Sequence, residues 1–410
     1  MGMIELEGHR YLDGHESDPR KIGWMLGAPP SADKRITFEG GKFREFPQIR
    51  WSFSHMRELM PTVTVWRGQG MPSLFDRRDM SAEIDALTFV DASGQTRRFG
   101  DALLDTYTDG IVVLHRGRIV YERYLGALEP HMPHECQSCT KSYTGTLAAL
   151  LTDEGVVDQS KLVSHYLPEL KDTAWEDATL RQVMDMQVGL AFDEGYADDQ
   201  SDISRYRWAF GRLPRPTGYD GPGTSCDYLR TIRKGSAHGE FVYQSLNTQV
   251  IAWIMMRVTG QSFAQLLQER LWAPLGCEED GYLEIDPGGM PLAEGGLGAT
   301  LRDFARFGEL MRRQGEWHGK QLIPASFVRD VQSGCGPAET GTGYSYRSQW
   351  WVSHDELGSF QARGIHGQRL YVAPNAEMVV AIFASHPLAL DGGDPITVPQ
   401  LLALGRVLRA

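Results

Sequence analysis

Cysteine is scarce: five in 410 residues, an odd number. A disulfide framework is therefore not expected, and the default setting is a reducing, cytoplasmic one. Positive charge is short as well, with 41 Lys plus Arg against 53 Asp plus Glu and a formal charge of −12. An acidic surface of that size repels phosphate, which argues against nucleic acid as the main partner. No run approaches the ~20 apolar residues needed to span a bilayer, so no membrane partner is expected. The start, Met1-Gly2-Met3-Ile4-Glu5-Leu6-Glu7, lacks the basic patch and apolar stretch of a secretory signal. No repeat of 20–50 residues and no low-complexity tract is visible. What is present is a composition of 41% hydrophobic and 23% charged residues, with 45 Gly, 10 Trp, 15 Tyr and 16 Phe. That profile fits a large globular enzyme with many turns and aromatic-lined clefts.

At roughly 150 residues per domain, the length suggests two or three folding units. Residues 1–50 are polar and rich in Gly and Pro, and read as an irregular leader packed on the surface. Trp51–Leu59 has the mixed pattern of a short helix. Gly110–Leu114 and Arg118–Tyr124 read as a strand pair, with His115-Arg116-Gly117 supplying a turn that needs positive φ. An amphipathic helix is expected from Ser138, because Tyr143, Leu147, Leu150 and Leu151 recur at helical spacing and Gly155 marks a stop. Residues 156–290 read as helical, for example 180–186 and 248–256, with a long Gly/Pro/Asp-rich loop at about 191–224. Loops of that length inside compact domains are often functional. Strand patterns return at 348–352, 369–372 and 378–383, the last two flanking Pro374-Asn375-Ala376, and 398–408 reads as a terminal helix. The expected architecture is one discontinuous α/β domain, 51–155 with 291–410, carrying a helical domain at 156–290.

Ser138-Cys139-Thr140-Lys141 is Ser-x-x-Lys at the start of that helix. Three residues are nearly one helical turn, so the Lys amine stands over the Ser hydroxyl. A Lys made neutral by burial or nearby positive charge can take the Ser proton, and the free N–H groups of a helix N-terminus suit a developing oxyanion. The motif alone is weak. Ser31-Ala32-Asp33-Lys34 also matches, after Pro29-Pro30 and with no apolar helix behind it, and reads as a turn with solvated charges. Even Ser138 and Lys141 fit a helix cap with a surface Lys equally well. Tyr243-Gln244-Ser245-Leu246-Asn247, before an apolar helix, offers a Tyr to shuttle a proton and an Asn to hold the Lys, or simply a core Tyr and a cap. Gly364-Ile365-His366-Gly367-Gln368 opens a late strand, where two glycines permit close substrate approach or mark a plain β-bulge.

Taken together these boxes resemble the serine β-lactamase and penicillin-binding superfamily, and within it the 6-aminohexanoate-dimer (nylon-oligomer) hydrolases and the β-lactamase-fold carboxylesterases. The likeness runs from about Trp51 to the last strand. It includes Ala252-Trp253-Ile254, Arg257-Val258-Thr259-Gly260, Asp185-Met186-Gln187 and Gln349-Trp350-Trp351. The resemblance implies an α/β (α+β) fold in which an antiparallel sheet is flanked by helices and carries an all-helical insertion. It makes Ser138 the nucleophile, Lys141 its general base and Tyr243 the proton donor to the leaving group. The backbone N–H groups of Ser138 and Ile365 become the oxyanion hole. Asn247 supports the polar network and Tyr196 closes over substrate; Glu294, His366 and Trp350 complete the expected binding set. One of Trp350 and Trp351, which alternate across a strand, belongs to the core and the other to the cleft.

Two departures bear on substrate. The superfamily usually carries Lys-Thr-Gly before the oxyanion residue, and here Ala362-Arg363-Gly364 stands in that place, so the ammonium that binds a penicillin carboxylate is missing. The nylon-oligomer hydrolases have an amide residue before a Gly-Gly pair, and here it is Glu294-Gly295-Gly296. The expected activity is hydrolysis of small linear amides or short-chain esters through an acyl-enzyme, with no metal and no organic cofactor. A carboxylesterase without useful amidase activity, or a non-catalytic binding protein, are the alternatives, and a homodimer is left open. Within His131–Cys139, two His and two Cys suggest zinc, and Cys136-Gln137-Ser138-Cys139 has thiol-redox spacing. The zinc pairs close too short a loop, and the redox reading lacks a thioredoxin-sized βαβ unit. His55, His115, His165, His238, His318 and His354 have no ligand spacing.

Overall fold

The computed structural model describes residues 2–409 except 197, 199, 337, 338 and 391–393. Its centre is an eight-stranded sheet whose strands are β1 (Asp76–Arg77), β2 (Thr108–His115), β3 (Arg118–Tyr124), β4 (Ser345–Arg347), β5 (Trp350–Val352), β6 (Phe360–Gly364), β7 (Gln368–Ala373) and β8 (Met378–Ala384), in the order β4-β5-β6-β7-β8-β2-β3-β1. All pairings are antiparallel except β1 with β3. Every residue of β2 and β8 is buried, because helices cover both faces. Val112 and Leu114 point into one core, Ile111 and Val113 into the other, the period-two alternation of a strand buried on both sides. Five helices matter to the site: α1 (Thr140–Asp153), α2 (Asp202–Phe210), α3 (Leu246–Thr259), α4 (Leu301–Arg312) and α5 (Thr397–Arg409). The sheet lies between α4 on one face and α5 on the other. The β2–β3 turn has Arg116 at φ 51° and Gly117 at φ 73°, which is the left-handed pair that a two-residue hairpin requires.

Several elements differ from the sequence reading. Residues 1–50 form more than a surface leader. They include a hairpin, Met3–Leu6 with His9–Leu12, and bury Ile36, Phe43 and Ile49 against Trp51 and Phe53. The expected helix at 51–59 is two short turns, Ile49–Ser52 and Met56–Glu58. Helix α1 is not amphipathic: every residue from Thr140 to Leu151 is buried, so it runs through the interior rather than across a surface. Within the stretch read as helical, Gly281–Glu284 is a strand, paired with Thr62–Val65 and Leu297–Ala299. Four residues give no period, and the partners that fix this strand are distant in sequence. The loop at 191–224 contains α2, which starts after Ser201 and ends at Gly211 with φ 82°; its positions 197 and 199 lie outside the described residues. Ser348 and Gln349, expected in a strand, form the left-handed turn joining β4 to β5. The segment 364–368 does lead into a late strand, β7 from Gln368, and it does so as a short 3-10 turn out of β6. Among the described residues, no helix is long and apolar enough to cross a membrane.

Candidate active site

The segment before Ser138 is tied down on both sides. Glu135 N–H donates to the Phe53 carbonyl and Cys136 N–H to that of Leu297. Gln137 then takes a left-handed φ of 49°, and the 3-10 turn Gln137–Cys139 runs directly into α1. Such a conformation is costly for a side-chain-bearing residue and persists only when its surroundings enforce it. The enforcing contact is visible at Gly364. A Cβ there would lie 2.8 Å from the Cys136 carbonyl oxygen and 3.0 Å from the Gln137 Cβ. Gly364 therefore lets β6 pass against the backbone that leads into Ser138. The following residues, Ile365 and the left-handed His366 at φ 63°, are delivered beside Ser138, and Ile365 lines the same cavity.

Lys141, one turn after Ser138, is 1% exposed. Its Nζ lies 2.9 Å from Ser138 Oγ and donates to the Glu294 carbonyl oxygen at 2.9 Å. Burial pushes the Lys141 amine down to about 8, helped by the Arg212 charge, while the carboxylates of Glu194 and Glu294 pull it back up. Tyr243 closes the third side. Its ring stacks on Trp351 at 5.5 Å and holds the Lys141 ammonium 5.1 Å from its centre. Burial and the Glu194 charge raise its phenol pKa, and the nearby Ser138 hydroxyl lowers it in part. Ser138, Lys141, Tyr196, Arg207, Glu294 and Ile365 all line one narrow, partly open cavity.

Three expected binding residues are elsewhere. Asn247 is fully buried, and its Oδ1 accepts from Trp175 Nε1 at 2.8 Å, with its amide against the Met186 sulfur. It does not hold Lys141; a backbone carbonyl does. Trp350 is core, between Phe307 and Phe360, and its neighbour Trp351 is the ring at the site. His366 bonds the His386 carbonyl through Nδ1 at 2.7 Å and packs edge-on to Phe53. Burial lowers its imidazole to about 4, so it is neutral and supports the β6–β7 turn. Tyr196 and Glu294 do line the cavity. The Tyr196 hydroxyl donates to Glu194, and burial raises the Glu294 carboxyl to about 7 against the pull of Lys141. Ser31 stands before a solvated 3-10 turn, as its sequence context suggests.

Two groups of charges escaped the sequence reading. Glu194 accepts from the Ser245 N–H at 2.6 Å and the Ser245 hydroxyl at 2.5 Å, as well as from Tyr196. It thereby fastens the long loop to the Tyr243-x-Ser245 segment, and its position two residues before Tyr196 was the only available hint. Beneath the cavity, Arg44 and Arg212 clamp Glu135 and Glu284. Arg44 Nη2 bonds Glu284 at 2.8 Å, Arg212 Nε lies 3.0 Å from Glu284, and Arg212 Nη2 bonds Glu135. Burial raises the Glu284 carboxyl, and the two arginines lower that of Glu135. Arg212 also reaches the Gln137 side chain at 3.3 Å and the Gly295 carbonyl at 3.4 Å, so a buried network braces the segments on either side of Ser138. Nothing local marks these four residues, which come from segments up to 240 positions apart.

The thiols of Cys136 and Cys139 are free, fully buried and pushed up by burial, which disfavours thiolate chemistry. The His134 ring lies 3.3 Å from Asp109 and 3.0 Å from the Glu135 carbonyl. Among the described residues, no group of three or more His, Cys, Asp or Glu is placed to hold a metal.

A family model described as Beta-lactamase matches residues 96–398. The chain is 32% identical over 354 residues to the 6-aminohexanoate-dimer hydrolase of Paenarthrobacter ureafaciens, covering 84% of this chain and 87% of that one. A solved structure described as "Putative 6-aminohexanoate-dimer hydrolase from Bacillus anthracis" superposes with a TM-score of 0.85 at 32% identity, over 93% of this chain and 99% of that one. A family VIII carboxylesterase superposes at 0.54 with 17% identity, over 72% of this chain and 91% of that one, a likeness of fold alone.

Proposed function

The chain belongs to the Beta-lactamase family, and from that premise we propose that this serine hydrolase cleaves small linear amides or short-chain esters through an acyl-enzyme at Ser138. One observation carries the proposal: a buried Lys141 amine, pushed down to about 8, lies 2.9 Å from the Ser138 hydroxyl. Donation to the Glu294 carbonyl leaves the neutral amine's lone pair facing Ser138. In acylation, Ser138 Oγ bonds to the substrate carbonyl carbon as its proton passes to Lys141 Nζ. The carbonyl oxygen gains charge between the N–H groups of Ser138 and Ile365. When the tetrahedral species collapses, the bond to the leaving group breaks, Tyr243 delivers a proton to that amine or alcohol, and the Lys141 ammonium returns its proton to Tyr243, leaving Lys141 neutral again. Water then repeats the sequence on the acyl-enzyme and frees Ser138. General-base help contributes roughly 10²–10⁴-fold and an oxyanion donor about 10²–10³-fold.

The relatives' names support a 6-aminohexanoate-oligomer-like linear amide as the substrate type, and the narrow cavity supports thin, flexible chains. On the sheet wall, Ala362 is buried and apolar, which removes the cation expected to hold a β-lactam carboxylate there. Five free thiols support a cytoplasmic setting. A panel of short-chain nitrophenyl esters, aminohexanoate oligomers and a chromogenic cephalosporin tests the reading. Ester turnover with weak or absent cephalosporin turnover is expected. Efficient cephalosporin cleavage without esterase activity would reassign the protein to the β-lactamases proper.

The pH profile tests the base. With Lys141 at about 8, about a tenth of the amine is neutral at pH 7, far more than for an ordinary Lys. The kcat/KM for a neutral ester therefore rises with pH and levels off above about 8. Glu294→Gln removes a negative charge that stabilises the ammonium, so the ascending limb moves toward acid. Initial rates between pH 6 and 10 decide it; a flat wild-type profile, or an alkaline shift in the variant, removes Lys141 from the role.

A further inference from the structure

Among the described residues, most charges around the cavity have partners; the Glu294 carboxyl, whose Oε2 is buried without a hydrogen-bond partner, and the Arg207 guanidinium do not. Lys141 faces Ser138 and the Glu294 carbonyl, Arg212 faces Glu135 and Glu284, and Glu194 is filled by Ser245 and Tyr196. Arg207, in the second turn of α2, lines the same cavity as Ser138. Among the described residues, no carboxylate pairs with its guanidinium and no carbonyl accepts from it; its neighbour is the Tyr196 ring, 5.4 Å from the guanidinium carbon. Burial and the nearby positive charges of Arg212 and Arg44 lower the Arg207 pKa to about 10. It is still fully cationic at neutral pH, a partly desolvated charge with no carboxylate in contact, on which Glu194 acts only through space. Holding such a charge out of water is unfavourable unless an anion meets it.

Resting on the hydrolase reading, we propose that Arg207 receives a carboxylate carried by the substrate, so that the preferred substrates are linear amides or esters with an anionic end. A guanidinium presents a planar fork of N–H donors that matches a carboxylate in a way an ammonium does not. The site is on the helical wall, opposite in origin to the strand position of Ala362. It therefore favours an extended substrate reaching along the cavity rather than a compact bicyclic one. Arg207 acts here as a specificity residue, with Tyr196 beneath it as a flat support.

The test uses matched substrates that differ only in one terminal charge. The first pair is a nitrophenyl ester of a straight-chain acid and the hemi-ester of the dicarboxylic acid of equal length. The second is an N-acyl ω-amino acid and its methyl ester, which moves the carboxylate to the leaving side. Wild-type protein should prefer the anionic member of at least one pair. Arg207→Gln should lower the anionic-to-neutral ratio of kcat/KM by roughly 10–100-fold, mainly through KM, as expected for loss of a charge-assisted hydrogen bond. Arg207→Lys should retain part of the preference, and Arg207→Glu should turn it toward the matching ω-amino ester. A ratio is independent of the folded fraction, so a poorly folded variant does not mimic the result. No charge preference in wild type, or equal losses on both members in Arg207→Gln, would overturn the proposal. Failure of wild type on every ester and amide would instead overturn the hydrolase reading.

Discussion

Ser138→Ala abolishes turnover of a short-chain nitrophenyl ester, with kcat/KM falling on the order of 10⁴–10⁶-fold, the scale seen when a nucleophile is removed from an acyl-transfer site. The loss is chemical rather than structural. Ser138 is half-buried, and the Lys141 amine keeps its bond to the Glu294 carbonyl without it. The thermal midpoint should accordingly stay within a few degrees of wild type. A fluorophosphonate probe should label wild-type protein at Ser138 and leave the variant unlabelled. Labelling at Ser31 or at another site, or activity retained in Ser138→Ala, would refute the assignment of the nucleophile.

The second large effect separates base from acid. Lys141→Ala should reduce ester and amide hydrolysis alike by roughly 10²–10⁴-fold, because both acylations need the Ser138 proton removed. Tyr243→Phe keeps the ring on Trp351 and beneath Lys141, deleting only the hydroxyl. A nitrophenolate leaves without protonation, whereas an amine does not. The Phe variant should thus lose far more on a linear amide than on a nitrophenyl ester. In the double variant the losses should not add, because both residues serve one proton path. Single-turnover kinetics on the two substrate types measure this. Undisturbed hydrolysis of both substrates by Tyr243→Phe would exclude Tyr243 as leaving-group acid.

The Ser138–Lys141 pair, proposed as nucleophile and base, was legible because its geometry is local. Ser138 and Lys141 are one helical turn apart, and helix geometry brings them together whatever surrounds them. Tyr243 was legible through its short Tyr-x-Ser-x-Asn box and the family resemblance. Asn247 in the same box was misplaced, since four residues on, at the helix start, its side chain turns to Trp175 instead of Lys141. The two Trp at 350 and 351 show the same limit. Strand alternation says that one is buried and one is not, and only the α4 packing at Phe307 decides that Trp350 is the core residue.

By itself, the sequence determined the strand pair at 110–124, the late strands β7 and β8, the terminal helix and the Ser–Lys spacing, all of which follow from short-range period and turn chemistry. The tertiary structure alone decided the rest. Burial of α1 and the Glu194, Glu294 and Arg212 charges set the Lys141 pKa. The passage of β6 over Cys136, which Gly364 permits, brings Ile365 to Ser138. The Arg44–Glu135–Arg212–Glu284 network and the unpaired Arg207 guanidinium exist only where distant segments meet. Electrostatic energies depend on distance and desolvation, and neither is a property of sequence spacing once the partners lie on different elements.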